Sequence, residues 1–298
     1  MGKHLLILGI MVAVLAAIDQ APSPNFLERV DPDTGKSIEP TVLVLHYTAQ
    51  PLARVKEIFS LANVQTPVSS HYTVDEDGSI YQHVNETKAA RHAGVSYWRG
   101  LEGADATQKK LNCHSIGIEQ INLGYRDKAH KPAGTRVQGS DKEWYPYDPR
   151  LIKSTIALCK EILARNKGIT PRNIVAHSDI APARKHDPGP LFPWKKLAHE
   201  GIGVWPRLEK VRPLTCLPRS TYNDEQKRTD WLIKHLQIWG YRKPGSDATA
   251  QDIISAFQMH FRPTCIDGKA DKETVDILRA LLCEHVVVPG KRCACSEA

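Results

Sequence analysis

The chain of 298 residues is long enough for a main domain and a smaller second one, and its 41% hydrophobic and 24% charged residues are ordinary for a soluble globular protein. A formal net charge of +7 favours polyanionic partners. Nucleic acid is excluded as the first choice, because no helix groups basic residues on one face and no strand carries a run of stacking aromatics.

The amino terminus reads as an export signal. Lys3 and His4 form a short basic start, and Leu5 to Ala17 is an apolar stretch of thirteen residues. A membrane-spanning helix needs about 20, so residues 1–17 fit a signal peptide better than a span. On this reading cleavage follows Ala16 or Ala17; Ala21 is a poorer site because Pro22 comes next. No cysteine precedes Cys113, so nothing here can be acylated. The expectation is a periplasmic or secreted protein without stable membrane insertion after signal cleavage. Attachment by an uncleaved signal is the alternative.

The elements that follow alternate between strand and helix. Thr41 to Tyr47 is an apolar strand, and Arg54 to Leu61 a short helix. Tyr72 to Asp75 and Ser79 to Val84 flank Asp77-Gly78, a hairpin signal. Residues 85–113 read as a long irregular loop containing His92 and Trp98, and loops of that length in a compact domain are usually functional. Ser115 to Ile121 is a further strand. Residues 122–147, with Trp144, Tyr145 and Tyr147, are expected to line or cover a groove. A helix then starts at Asp148 as cap and Pro149 as first residue, repeats Ile152, Ile156, Cys159 and Leu163 on one face, and ends at Gly168. Asn173 to Ala176 is the strand that delivers His177.

The chemistry concentrates in VAHSDIAPARKHDPGP (residues 175–190). Prolines at 182, 188 and 190 exclude a helix interior, leaving His177, Lys185 and Asp187 in a rigid loop. A histidine and a carboxylate ten residues apart can supply two ligands to one divalent metal. Hydrolytic zinc wants three N, O or S ligands and an open position. The third candidate is His46, at the end of the apolar run in LVLHYTA (residues 43–49). Two neutral imidazoles and one carboxylate leave such a site positively charged, which brings the pKa of water down to roughly 7 and polarises a carbonyl. Spacing alone does not establish a metal, since a lone histidine after an apolar run is more often a packed residue. A lysine beside an aspartate is more often a surface ion pair. Glu119 is less ordinary, because Ile116, Ile118 and Ile121 around it indicate a buried strand where an unpaired carboxylate is costly.

Five segments in order, LVLHYTA, HYTVDEDGSIYQHV (residues 71–84), RHAGVSYW (residues 91–98), SIGIEQIN (residues 115–122) and VAHSDIAPARKHDPGP, resemble the zinc-dependent type 2 N-acetylmuramoyl-L-alanine amidases. That group shares its fold with bacteriophage T7 lysozyme and the peptidoglycan recognition proteins. The chain looks most like its AmiD-type periplasmic members, over about residues 26–285. Those relatives are often lipoproteins, a pattern this terminus lacks. The resemblance implies an α/β fold, a mixed central sheet flanked by helices, in residues 26–205. It implies one zinc ion held by His46, His177 and Asp187, with Glu119 as proton shuttle and Lys185 facing the reacting carbonyl. The implied reaction is hydrolysis, by zinc-activated water, of the amide between the lactyl group of N-acetylmuramic acid and L-alanine. His71, His83, His92 and His114 are then structural or groove-lining.

Residues 206–223 contain three prolines and read as a linker. Beyond it, Leu232, Leu236 and Trp239 mark one helix, Ile253, Ile254, Phe257 and Phe261 a second, and Val275, Leu278 and Leu282 a third. Residues 250–263 and 266–282 resemble the three-helix peptidoglycan-binding domain of wall hydrolases, placed here at 224–285. Seven cysteines are an odd number with no diagnostic spacing, and Cys159, on the apolar face of its helix, is expected to be a packed free thiol. The partner expected is peptidoglycan or muropeptides, bound by a monomer. Competing readings are a noncatalytic recognition module, a zinc metallopeptidase cutting within the stem peptide, and a cytoplasmic recycling amidase, the last opposed by the export signal.

Overall fold

The apolar run before His46 forms the strand Val42–Tyr47 in the computed structural model, which describes residues 17–31, 34–62, 64–102, 109–126, 134–210 and 219–286. The proposed signal, apart from Ala17, lies outside the described residues. Six strands make a mixed sheet in the order Ile18–Gln20, Ile80–Gln82, Tyr72–Val74, Ser115–Gln120, Val42–Tyr47, Ile174–Ala176. The Asp77-Gly78 turn produces the single antiparallel pair in it, Tyr72–Val74 with Ile80–Gln82; the other pairings are parallel. Parallel strands are buried on both faces, which explains the unbroken apolar character of VLVL.

Strand alternation sorts that run between two cores. Leu43 and Leu45 meet Ile116, Ile118 and the apolar face of the helix Pro149–Arg165, where Leu151, Ile152, Leu158 and Ile162 are buried. Asp148 caps this helix, its carboxylate accepting from the Arg150 N–H at 2.8 Å. Cys159 is a buried free thiol on the same face. Val42 and Val44 point the other way, into a core shared with Leu232, Leu236, Ile253 and Phe257 of the C-terminal helices.

Those helices, Glu225–Trp239, Ala250–Phe261 and Lys272–His285, fall where the periodicity places them. Their attachment is closer than a tethered module implies. Trp98 packs edge-on against Tyr241, the Arg172 guanidinium donates to the Trp239 carbonyl at 2.9 Å, and His260 stacks on Trp194 at 3.8 Å. Within the expected linker, Arg219–Asn223 is helical.

Among its described residues, the first of the two long stretches carries more regular structure than its sequence suggests. Residues 85–113 hold the short strands Lys88–Ala90, Tyr97–Trp98 and Leu101–Glu102 and enter the helix Lys109–His114. The segment lacks a periodic apolar pattern because its anchors are single buried groups: Ala89, Ala90, Ala93, Trp98 and Leu111. Residues 122–147 contribute Tyr125–Arg126, Thr135–Arg136 and Glu143–Trp144 to a separate three-stranded sheet.

Two buried histidines away from the metal candidates make acid stability predictable. Burial, with Arg29 beside it, pushes His71 down to about 3, and burial pushes His83 down to about 4. The unfolded chain therefore binds protons near pH 6.5 that the folded chain refuses, and stability rises with pH across the interval. That stabilisation is present above 6.5 and is lost as pH falls toward 4. Urea midpoints measured at pH 7 and pH 4.5 are expected to differ, and His83→Gln to narrow the gap; an unchanged gap contradicts the assignment.

Candidate metal centre

Three side-chain atoms converge where the central strands end. His46 Nδ1 lies 2.9 Å from His177 Nδ1 and 2.9 Å from Asp187 Oδ2, and His177 Nδ1 lies 2.9 Å from the same oxygen. All three residues are buried. Among the described residues this is the one group of three or more His, Cys, Asp or Glu side chains placed to hold a metal ion.

Sheet register brings them together. His46 is paired with Glu119 across parallel strands, and Leu45 with Ala176, so His177 emerges beside His46. His177 opens the short helix His177–Ile180, whose Ser178 N–H donates to the Asp187 carbonyl at 3.0 Å. The turn that carries Asp187 is held from outside. Tyr147 donates its hydroxyl to the Pro188 carbonyl at 2.8 Å, and Gly189, at φ +80°, leaves room for the Trp144 ring, which a Cβ would meet at 2.8 Å.

The donor chemistry fits zinc. Burial, with His177 beside it, pushes His46 down to about 4, so its imidazole is neutral at pH 7. The second nitrogen of His177 lies 3.0 Å from the Ala93 carbonyl. A carbonyl only accepts, so Nε2–H donates to it, the arrangement that in a neutral ring leaves the Nδ1 lone pair for the cluster. Burial raises the Asp187 carboxyl, but positive charge on the neighbouring rings, His177 first, outweighs it and holds the group well below the usual carboxylate range; a cation among the three donors favours the carboxylate in the same sense. Two imidazole nitrogens and one ionised carboxylate are a donor set that zinc takes in hydrolytic sites.

A cleft of about 390 Å³ opens onto the three atoms. Glu119 and Lys185 both line it, as do Tyr125 and Arg184. Burial, then the charge of Asp187, raises the Glu119 carboxyl well above its ordinary value, with Lys185 acting in the opposite sense. One Glu119 oxygen is buried without a hydrogen-bond partner. A half-buried carboxyl with raised proton affinity, in the cleft that the three candidate metal ligands line, is suited to accept a proton and return it. Val55, Phe59 and Val68 add apolar lining to the same cleft.

All five site candidates thus border one cleft. The aromatics of residues 122–147 divide differently from the expectation. Tyr125 lines the cleft; Trp144 is 2% exposed and belongs to the core behind it; Tyr147 buttresses the aspartate turn. Aromatic content marks the region but not which ring faces solvent. His71 and His83 bond to backbone and Thr73, as structural residues do. His92 lines the cleft as expected and also reaches the cluster, since its Nδ1 lies 3.0 Å from His46 Nε2. No local signal in RHAG marks that contact, because it joins residues 46 apart in the chain.

Known proteins with this pattern point one way. The family described as N-acetylmuramoyl-L-alanine amidase matches residues 36–190. The N-acetylmuramoyl-L-alanine amidase AmiD of Escherichia coli K12 is 43% identical over 250 residues, 81% of this chain and 82% of the relative. The solved complex of E. coli AmiD with anhydro-N-acetylmuramic acid-L-Ala-D-gamma-Glu-L-Lys matches with a TM-score of 0.64 at 39% identity, covering 83% of this chain and 90% of the other. The structure of AmpDh3 from Pseudomonas aeruginosa matches with a TM-score of 0.65 at 32% identity, covering 94% and 100% respectively.

Proposed function

The chain belongs to the N-acetylmuramoyl-L-alanine amidase family, and we propose that His46, His177 and Asp187 hold the zinc ion at which it works. It is an AmiD-like enzyme that hydrolyses the amide between the lactyl group of N-acetylmuramic acid and the L-alanine of the stem peptide. The observation that carries the metal assignment is the convergence of three lone-pair atoms within 2.9 Å of one another, inside a buried cluster.

Zinc in that position supplies Lewis-acid chemistry, acidifying water and polarising the scissile carbonyl. Glu119 takes the proton of the attacking water and delivers it to the departing alanine nitrogen, acting first as general base and then as general acid. One of its oxygens has no hydrogen-bond partner within the protein. The Lys185 ammonium stabilises the oxyanion of the tetrahedral intermediate, where one preorganised donor is commonly worth about 3–4 kcal/mol. A noncatalytic recognition module has no use for a carboxyl with raised proton affinity in the same cleft as a full ligand set.

The same proposal assigns residues 26–205 to catalysis, 206–223 to the connection and 224–285 to wall binding, which raises the local concentration of the active site at the polymer. It places the mature protein in the periplasm or outside the cell. The disulfide bond at Cys283 supports an oxidising compartment. No described helix is long and apolar enough to cross a membrane.

Elemental analysis tests the metal site. The purified protein is expected to carry one zinc per chain, to lose turnover of muropeptides on chelation and to regain it with equimolar zinc. His46→Ala is expected to retain little zinc. A chelated protein with undiminished turnover contradicts the proposal.

A further inference from the structure

His92 belongs to a run of hydrogen bonds that ends on His46, at the ring nitrogen opposite the one facing the cluster. His46 Nε2 lies 3.0 Å from His92 Nδ1, and His92 Nε2 lies 3.1 Å from Ser115 Oγ. The Ser115 hydroxyl stands 2.6 Å from the Leu111 carbonyl, the shorter of these two contacts. Because a carbonyl only accepts, the hydroxyl donates there. Its oxygen then accepts from His92 Nε2–H, which leaves His92 Nδ1 bare. That nitrogen accepts from His46 Nε2–H, and His46 Nδ1 keeps a lone pair aimed at the cluster. The reversed relay requires Ser115 to abandon the carbonyl at 2.6 Å and puts a proton on His46 Nδ1, in the middle of the donor atoms.

The surroundings are built for this ring. Ser115, Gly117 and Glu119 alternate along one face of their strand. A Cβ on Gly117 would stand 2.6 Å from the His92 ring, so only glycine lets the imidazole lie against the strand. Asn112 Oδ1 accepts from the His92 N–H at 3.2 Å and the Ala93 N–H at 2.9 Å, fixing the dipeptide. The Ala93 carbonyl in turn accepts from His177 Nε2 at 3.0 Å and from the Arg184 guanidinium at 3.0 Å. One dipeptide therefore orients both imidazoles of the cluster, through a side chain for His46 and a carbonyl for His177.

We propose that His92, oriented by Ser115, is a positioning residue that sets the tautomer of His46 and so presents Nδ1 to the metal. The proposal rests on the reading that His46, His177 and Asp187 bind zinc. Loss of such an outer partner typically weakens metal affinity about 10–100-fold.

Two measurements on the zinc-loaded full chain test it. In long-range ¹H–¹⁵N spectra of the unmutated protein, His92 and His46 are both expected to be protonated on Nε2, with His92 Nδ1 bare. In competition with a chromophoric chelator, His92→Leu is expected to bind zinc about 10–100-fold more weakly. His92→Asn, whose Oδ1 accepts in place of Nδ1, is expected to recover most of that affinity. A His92 ring protonated on Nδ1 overturns the proposal however the variants behave, and so does unchanged affinity in His92→Leu or equal loss in the Asn and Leu variants. Unmutated protein that binds no zinc overturns the metal site itself, a result distinct from tight zinc with the relay reversed.

Discussion

Replacing Glu119 with glutamine is expected to lower turnover of a muropeptide by about 10²–10⁴-fold, the range lost with a general acid–base group, while zinc content stays at one per chain. Glutamine keeps the shape and a carbonyl oxygen but holds no exchangeable carboxyl proton. Glu119 is not among the three converging donors, so the ion is retained. The residue's suitability comes from its setting: strand register places it beside His46, and burial together with Asp187 raises its proton affinity. Because the loss falls on proton transfer, kcat drops and KM changes little. Near-full turnover in the variant would remove Glu119 from the proton path, and loss of zinc along with activity would make its role structural.

Asp179→Ala is expected to cost at least about 3 kcal/mol of folding stability, since each of three buried donors that loses its acceptor costs about 1–3 kcal/mol. Asp179 is 1% exposed and accepts from three donors on different elements. The Ala176 N–H approaches Oδ2 at 2.8 Å, His260 Nδ1 approaches the same oxygen at 2.6 Å, and the Tyr241 hydroxyl donates to Oδ1. Alanine leaves all three without an acceptor in a site that water does not reach, and each unsatisfied group adds its own desolvation cost. Because Ala176 immediately precedes His177, the same change is expected to weaken zinc binding. Urea unfolding of the zinc-loaded variant checks the first effect and chelator competition the second. A cost below about 1 kcal/mol would mean that the C-terminal helices are only loosely seated.

The site was legible in the sequence where chemistry sits on unusual residues in constrained backbone. The prolines around Asp187, and a glutamate among isoleucines, stand out against any ordinary loop or strand. Their convergence was not legible from spacing, because it depends on the register that pairs His46 with Glu119 and Leu45 with Ala176, set by strands far apart in the chain. The family resemblance provided that missing link. The three C-terminal helices were equally plain from their apolar spacing. Their seating was hidden, since periodicity shows that a helix has a buried face but not what covers it. Tyr241, His260 and Phe257 cover the amidase rather than one another alone. Trp144 illustrates the same limit, as a tryptophan in a polar stretch reads as lining or covering a groove although its ring fills the space that Gly189 leaves open.

Digestion of purified peptidoglycan by the zinc-loaded protein, followed by mass spectrometry of the new chain ends, tests the central claim most directly. The expected products are stem peptides beginning with L-alanine and glycan bearing free lactyl carboxylates, absent when His46→Ala is used instead. New amino groups inside the stem peptide with the lactyl amide intact, or equal release by His46→Ala, would contradict it.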